Sequence, residues 1–119
     1  MTYYNEKGIK RFLNAMVFSY HGLLAAWKHE EAFRQELIVF FLAWPLAIHL
    51  SNTHLELLIL MGSILLVLII EILNSAIEAI VDRAGIEYHE LAKRAKDMGS
   101  AAVMLTILLA LMSWGLVLF

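Results

Sequence analysis

The sequence predicts an all-α membrane protein, with three transmembrane helices preceded by an N-terminal amphipathic helix on the membrane surface. Three observations predict it. Hydrophobic residues make up 61% of the 119 and charged residues only 17%, against roughly 25% charged in an ordinary soluble domain. A soluble chain of this size would have to clothe a large surface with polar groups, so lipid must cover part of this one. Residues 98–119 carry no charge at all, and the apolar residues before position 30 recur with a helical rhythm.

The first element is expected over about residues 5–28. Ile9, Phe12, Met16, Tyr20, Leu23 and Trp27 fall at spacings of three and four and make one apolar stripe, while Lys10, Arg11, Asn14, His21 and Lys28 take the other side. That composition suits a helix lying in the headgroup region rather than crossing it. The first span is expected over about 31–50. Its purely apolar stretch, LIVFFLAWPLAIHL, is 14 residues long, short for crossing lipid alone, so Arg34 and Glu36 are placed at an interface. Pro45 should leave a carbonyl unpaired and bend this helix. Ser51, Asn52, Thr53 and His54 then form a tight turn.

The second span is expected over about 55–82 as one long helix, because neither proline nor a turn cluster interrupts it. The third, about 97–119, is the clearest. The 22 uncharged residues from Met98 to Phe119 cover roughly 33 Å at about 1.5 Å per residue, enough for the hydrocarbon core. No repeat or linker divides the chain, so residues 1–119 are expected to form a single membrane domain.

Charge sets the orientation and narrows the function. All nine Lys and Arg lie before the apolar stretch of the first span or between the second and third spans, which places the N-terminus and the 83–97 loop in the cytoplasm and the C-terminus outside. The net charge is −2, so there is no basic field for nucleic acid. Cysteine is absent, which excludes disulfides, thiolate metal sites and a Cys nucleophile. The five histidines share no ligand spacing, which argues against zinc. The first twelve residues lack the apolar run of a cleaved signal peptide, so the N-terminus is expected to persist.

The chemistry concentrates on one face of the second span. At about 100° per residue, Glu71, Asn74, Ser75, Glu78 and Asp82 fall within an arc of roughly 100°. Counted from Leu55, Glu71 lies roughly 24 Å along the helix and Glu78 roughly 34 Å, against a core about 30 Å thick. The stripe therefore begins just inside the cytoplasmic boundary, which favours an interfacial site over a transport path through the midplane. Glu30, Glu31 and Arg34 reach the same level from the first span, and Lys96, Asp97 and Ser100 from the third. Carboxylates gathered there repel one another unless a cation joins them, and an oxygen-only ligand set favours a hard ion such as Mg²⁺. The competing reading is structural: the acids pair with Lys96, Arg94 and Arg83 to tie the helices together. Glu71, flanked by Ile70 and Ile72, fits that reading least.

Three segments carry a resemblance: EILNSAIEAIVDR at 71–83, EYHELAKRAKDMGSAAV at 87–103 and AAWKHEEAFRQE at 25–36. The chain resembles the prokaryotic diacylglycerol kinase family, small integral membrane lipid kinases, over nearly its whole length. The resemblance implies a homotrimer in the bacterial inner membrane whose shared active sites, at the cytoplasmic interface, transfer the γ-phosphoryl of MgATP to diacylglycerol. It makes Glu71 the catalytic base, has Glu30 and Glu78 hold Mg²⁺ against the ATP phosphates, and has Asn74 fix the site. It also implies that Lys96 contacts phosphate oxygens, that Arg11, Phe18, Asp82, His89 and Asp97 line the nucleotide region, and that Ser19 and Ser100 support the site. The sequence departs from the enterobacterial pattern of the family at Phe18, where a tyrosine is expected, and at Lys93, where a glycine is expected. No Walker loop or HRD signature is present, consistent with a kinase outside those folds. Two other readings remain: an undecaprenol kinase of the same family, and, from a different class, a proton or ion conduit with Glu71 as its titrating group.

Overall fold

The computed structural model describes residues 7–85 and 87–119. The described residues form four helices: α1 (Gly8–His29), α2 (Glu31–Leu50), α3 (His54–Ala84) and α4 (Glu90–Leu118). The three long helices α2, α3 and α4 are each long and apolar enough to cross a membrane. Residues 5 and 6, where the amphipathic helix is expected to begin, lie outside the described residues. At the other end, α4 reaches back past the uncharged stretch to Glu90, because the His89 ring accepts the Leu91 amide at 3.1 Å and starts the helix two turns early.

Each boundary has a local cause. The α2–α3 turn ends in a capping box: Thr53 Oγ1 accepts the Glu56 amide, and the Glu56 carboxylate accepts the amides of Asn52 and Thr53 at 2.6 and 3.1 Å. Only Glu30, held in extended geometry, separates α1 from α2. Arg34 reaches back across that break and donates to the carbonyl oxygens of Trp27 and Lys28, which end α1 and lack helical partners. Helical structure in α2 continues through Pro45, although the ring leaves the Phe41 carbonyl without its amide partner.

Helix α3 is the centre of the molecule, packing most extensively on α4 and then on α2, while α1 meets chiefly α2. At one end of the bundle Ala26, Phe33 and Leu68 form a buried cluster, with Leu37, Phe40 and Ile72 against it. Toward the other end Ala47 and Leu60 are fully buried, and the Trp114 indole donates to the Leu60 carbonyl oxygen at 3.0 Å, joining α4 to α3. Little else is enclosed. Large apolar side chains stand exposed along every helix, among them Leu42, Leu58, Ile80, Leu105 and Leu116, as expected where lipid or another chain takes the place of water.

Candidate functional site

The polar face of α3 turns inward where α2 and α4 cover it. Glu71 is 7% exposed and Asn74 8%; Ser75 and Glu78 are half-buried one turn further on, and Asp82 is exposed. The row read from the helical period is thus graded by depth, from the enclosed Glu71 to a solvated end. Asn74 Nδ2 donates to Glu78 Oε1 at 3.4 Å, and its Oδ1 is buried with no hydrogen-bond partner.

Two further acids face Glu71. Glu30, at the α1–α2 break, and Glu78 both interact electrostatically with it. Among the described residues neither these acids nor Glu71 form a salt bridge, whereas Asp82 and Asp97 do: Lys96 Nζ lies 2.6 Å from Asp82 and Lys93 Nζ 2.6 Å from Asp97. The structural reading of the acids therefore holds for the exposed end of the row and fails at its enclosed end.

The donor set bears directly on a metal. Among the described residues no three acids or histidines converge as a ready-made metal site. Mg²⁺ does not require one, since it keeps several waters and is commonly held by one or two carboxylates together with substrate phosphates. Glu30 and Glu78, on separate elements and both interacting with Glu71, could supply the one or two carboxylates that such an ion uses.

The remaining expected residues divide by position. Asp82, His89, Lys96 and Asp97 line one groove of about 590 Å³ between the end of α3 and the start of α4. Ser100 is exposed on α4. Arg11, Phe18 and Ser19 are not brought to Glu71 within one chain. They lie on exposed faces of α1, Ser19 donating to the Ala15 carbonyl oxygen at 2.8 Å, and Arg11 lies roughly 28 Å along the helix from Glu30 at about 1.5 Å per residue.

One acid takes a face that the sequence expectation does not specify. Glu36, expected at an interface beside Arg34, points into the bundle: its Oε2 is buried without a hydrogen-bond partner, and its carboxylate interacts with that of Glu71. The signal was its register, since Phe33, Glu36, Leu37 and Phe40 share one face of α2 at spacings of three and four. Glu36 also stands at one end of an apolar groove of about 500 Å³ between α2, α3 and α4, whose walls include Val39, Leu46, Val67 and Leu111 and which runs to Trp114.

The chain is similar to known proteins over nearly its whole length. The family described as prokaryotic diacylglycerol kinase matches residues 17–118. A diacylglycerol kinase of Escherichia coli (strain K12) is 50% identical over 115 residues, covering 97% of this chain and 94% of that one. The Haemophilus influenzae diacylglycerol kinase is 41% identical with 98% of each chain covered, and that of Pseudomonas aeruginosa is 43% identical over 95% of this chain and 92% of its own.

Proposed function

The chain belongs to the prokaryotic diacylglycerol kinase family, and from that premise we propose that it transfers the γ-phosphoryl of MgATP to the hydroxyl of diacylglycerol, giving phosphatidic acid at the cytoplasmic face of the bacterial inner membrane. The observation that carries the reading is the surroundings of Glu71: a buried carboxylate that interacts with Glu36, which lines one end of an apolar groove, and with Glu30 and Glu78. A lipid alcohol can lie in the groove and present its hydroxyl to Glu71 while a nucleotide approaches from solvent.

In this mechanism Glu71 accepts the hydroxyl proton as the alcohol oxygen bonds to phosphorus and the bond to the β-phosphate oxygen breaks, leaving ADP. Glu30 and Glu78 would hold the Mg²⁺, which when bound would offset negative charge on the phosphate oxygens. Asn74 steadies the Glu78 carboxylate. Lys96 exchanges its contact with Asp82 for one with a phosphate oxygen, a role suited to a mobile point charge, and His89 and Asp97 border the nucleotide in the same groove. The homotrimer with shared sites is what the family resemblance implies, and the remoteness of Arg11, Phe18 and Ser19 from Glu71 within one chain is compatible with their serving the site of another protomer. The distribution of Lys and Arg supports a cytoplasmic N-terminus and an outward C-terminus.

The test is phosphate transfer from labelled ATP by the purified chain in mixed micelles containing magnesium, with diacylglycerol and undecaprenol offered together. Preferential labelling of diacylglycerol is expected. Preference for undecaprenol would replace the substrate and keep the chemistry, and labelling of neither by folded protein would overturn the kinase reading in favour of the conduit.

A further inference from the structure

Gly99 is buried in α4 directly opposite Asn74. A Cβ built on Gly99 would collide with the Asn74 amide oxygen and come within 3.2 Å of its Cγ. Among the described residues, Gly99 is the one glycine at which an added Cβ meets a side chain, since at Gly8, Gly22, Gly62, Gly85 and Gly115 it would have none within 4 Å. The backbone at Gly99 has no positive φ, so conformational freedom does not account for a glycine at this place. Space does: α3 and α4 approach closely here, as helices in membranes do at small residues, and the room is taken by the amide of a polar side chain rather than by apolar packing.

That amide is the group beside Glu78. With Oδ1 held against Gly99, Nδ2 is the end turned along α3 toward the Glu78 carboxylate, one helical turn away. We infer that Gly99 is a positioning residue for phosphoryl transfer: the missing side chain lets the Asn74 amide lie against α4, and the amide in that position holds Glu78 where it takes the metal. The inference rests on the kinase reading and on the assignment of Glu78 to Mg²⁺. Gly99 itself touches neither substrate nor ion. A side chain at 99 must turn the amide aside, and Glu78 then loses its donor although every charged group of the site is still present.

A double-substitution cycle tests this in the purified full-length chain, reading the Mg²⁺ concentration for half-maximal activity at saturating ATP and diacylglycerol and, without turnover, the dissociation constant of Mn²⁺ measured by paramagnetic resonance with a non-hydrolysable ATP analogue. Gly99→Ala is expected to raise both about tenfold, the usual scale for losing an outer partner of a metal-holding residue, although alanine is the better helix former. Asn74→Ala should do the same, and Gly99→Ala combined with Asn74→Ala should be no worse than Asn74→Ala alone, because the colliding amide is gone. Additive effects, or a Gly99→Ala chain that titrates like the parent, would overturn the inference. Should Gly99→Ala fail to fold, the double variant decides. Folding with the titration of Asn74→Ala supports the contact, and continued failure to fold assigns Gly99 to helix packing and overturns the inference. Glu78→Gln separates the premise from the inference: if it titrates with Mg²⁺ as the parent does, the metal assignment fails, while non-additivity of the two substitutions in turnover number still reports the Gly99–Asn74 contact.

Discussion

Arg34 and Trp27 are joined across the only break between α1 and α2, the guanidinium of the first donating to the carbonyl oxygen of the second at 2.7 Å and to that of Lys28 at 3.2 Å. Glu30 lies inside the loop this closes, its own amide bonded to Ala26 and its carbonyl to the Arg34 amide. One arginine thus completes the end of α1, fixes the corner with α2 and sets the place of an acid that faces Glu71. The positive charge is also favourable at the carbonyl end of α1.

Replacing Arg34 with alanine should therefore fray the last turn of α1 and loosen Glu30 together. A charge-assisted bond to a carbonyl at a partly exposed site is worth about 1–2 kcal/mol, so amides of the 26–30 turn should exchange with solvent about ten times faster, and more Mg²⁺ should be required for activity. Arg34→Lys, with a single ammonium in place of the fork, should recover only part of both effects. Unchanged exchange in Arg34→Ala would show that the corner is held by the Ala26, Phe33 and Leu68 packing alone.

Glu71→Gln keeps the volume of the side chain and removes its ability to take a proton. The turnover number should fall by about 100-fold or more, the scale of general-base catalysis, while helicity and nucleotide affinity stay at the parent's level. Steady-state kinetics beside an equilibrium nucleotide-binding measurement separates the two quantities. A variant that retains the parent's turnover would remove Glu71 from the role of base.

How much of this was legible in the sequence varies with the distance over which each feature is decided. The long apolar helices and the α3 stripe follow from composition and the 3.6-residue period, which act within one helix. The same period places Glu71 and Asn74 on the face of α3 that is enclosed. The face taken by Glu36 was not legible because its neighbours Arg34 and Gln35 mark a span boundary, and only the packing of α2 on α3 shows that Glu36 turns inward while Arg34 turns back to α1. The Gly99–Asn74 contact was invisible for the same reason: a glycine in an apolar helix is ordinary until the opposite side chain is known.

Glu36 should behave as a functional residue retained at a cost to stability. A buried carboxylate oxygen without a partner destabilises a fold by about 1–3 kcal/mol, and Val39, Ala43 and Val67 in the same groove would welcome an apolar side chain. Glu36→Leu is expected to raise the unfolding midpoint in detergent and, if Glu36 receives the polar end of the lipid, to lower kcat/KM for diacylglycerol about tenfold with KM for MgATP unchanged. A variant both less stable and fully active would assign Glu36 to structure instead.

The groove gives the sharpest test of where the lipid lies. Ala110 is half-buried on its α4 wall, one turn before Trp114, and Trp114 is anchored to α3 through the Leu60 carbonyl. A phenylalanine at 110 would project into space bounded by an anchored neighbour, far along the helix from Lys96 and Asp97. Ala110→Phe should cost no more than about 1–3 kcal/mol in stability, the usual scale of overpacking, and helicity by circular dichroism should match the parent. Its KM for diacylglycerol should rise about tenfold while KM for MgATP and the Mg²⁺ titration remain as they were. A parallel rise in both KM values would mean that the substitution disturbs the whole bundle, and no change in either would place the acyl chains on the outer, lipid-facing surface of the helices rather than between them.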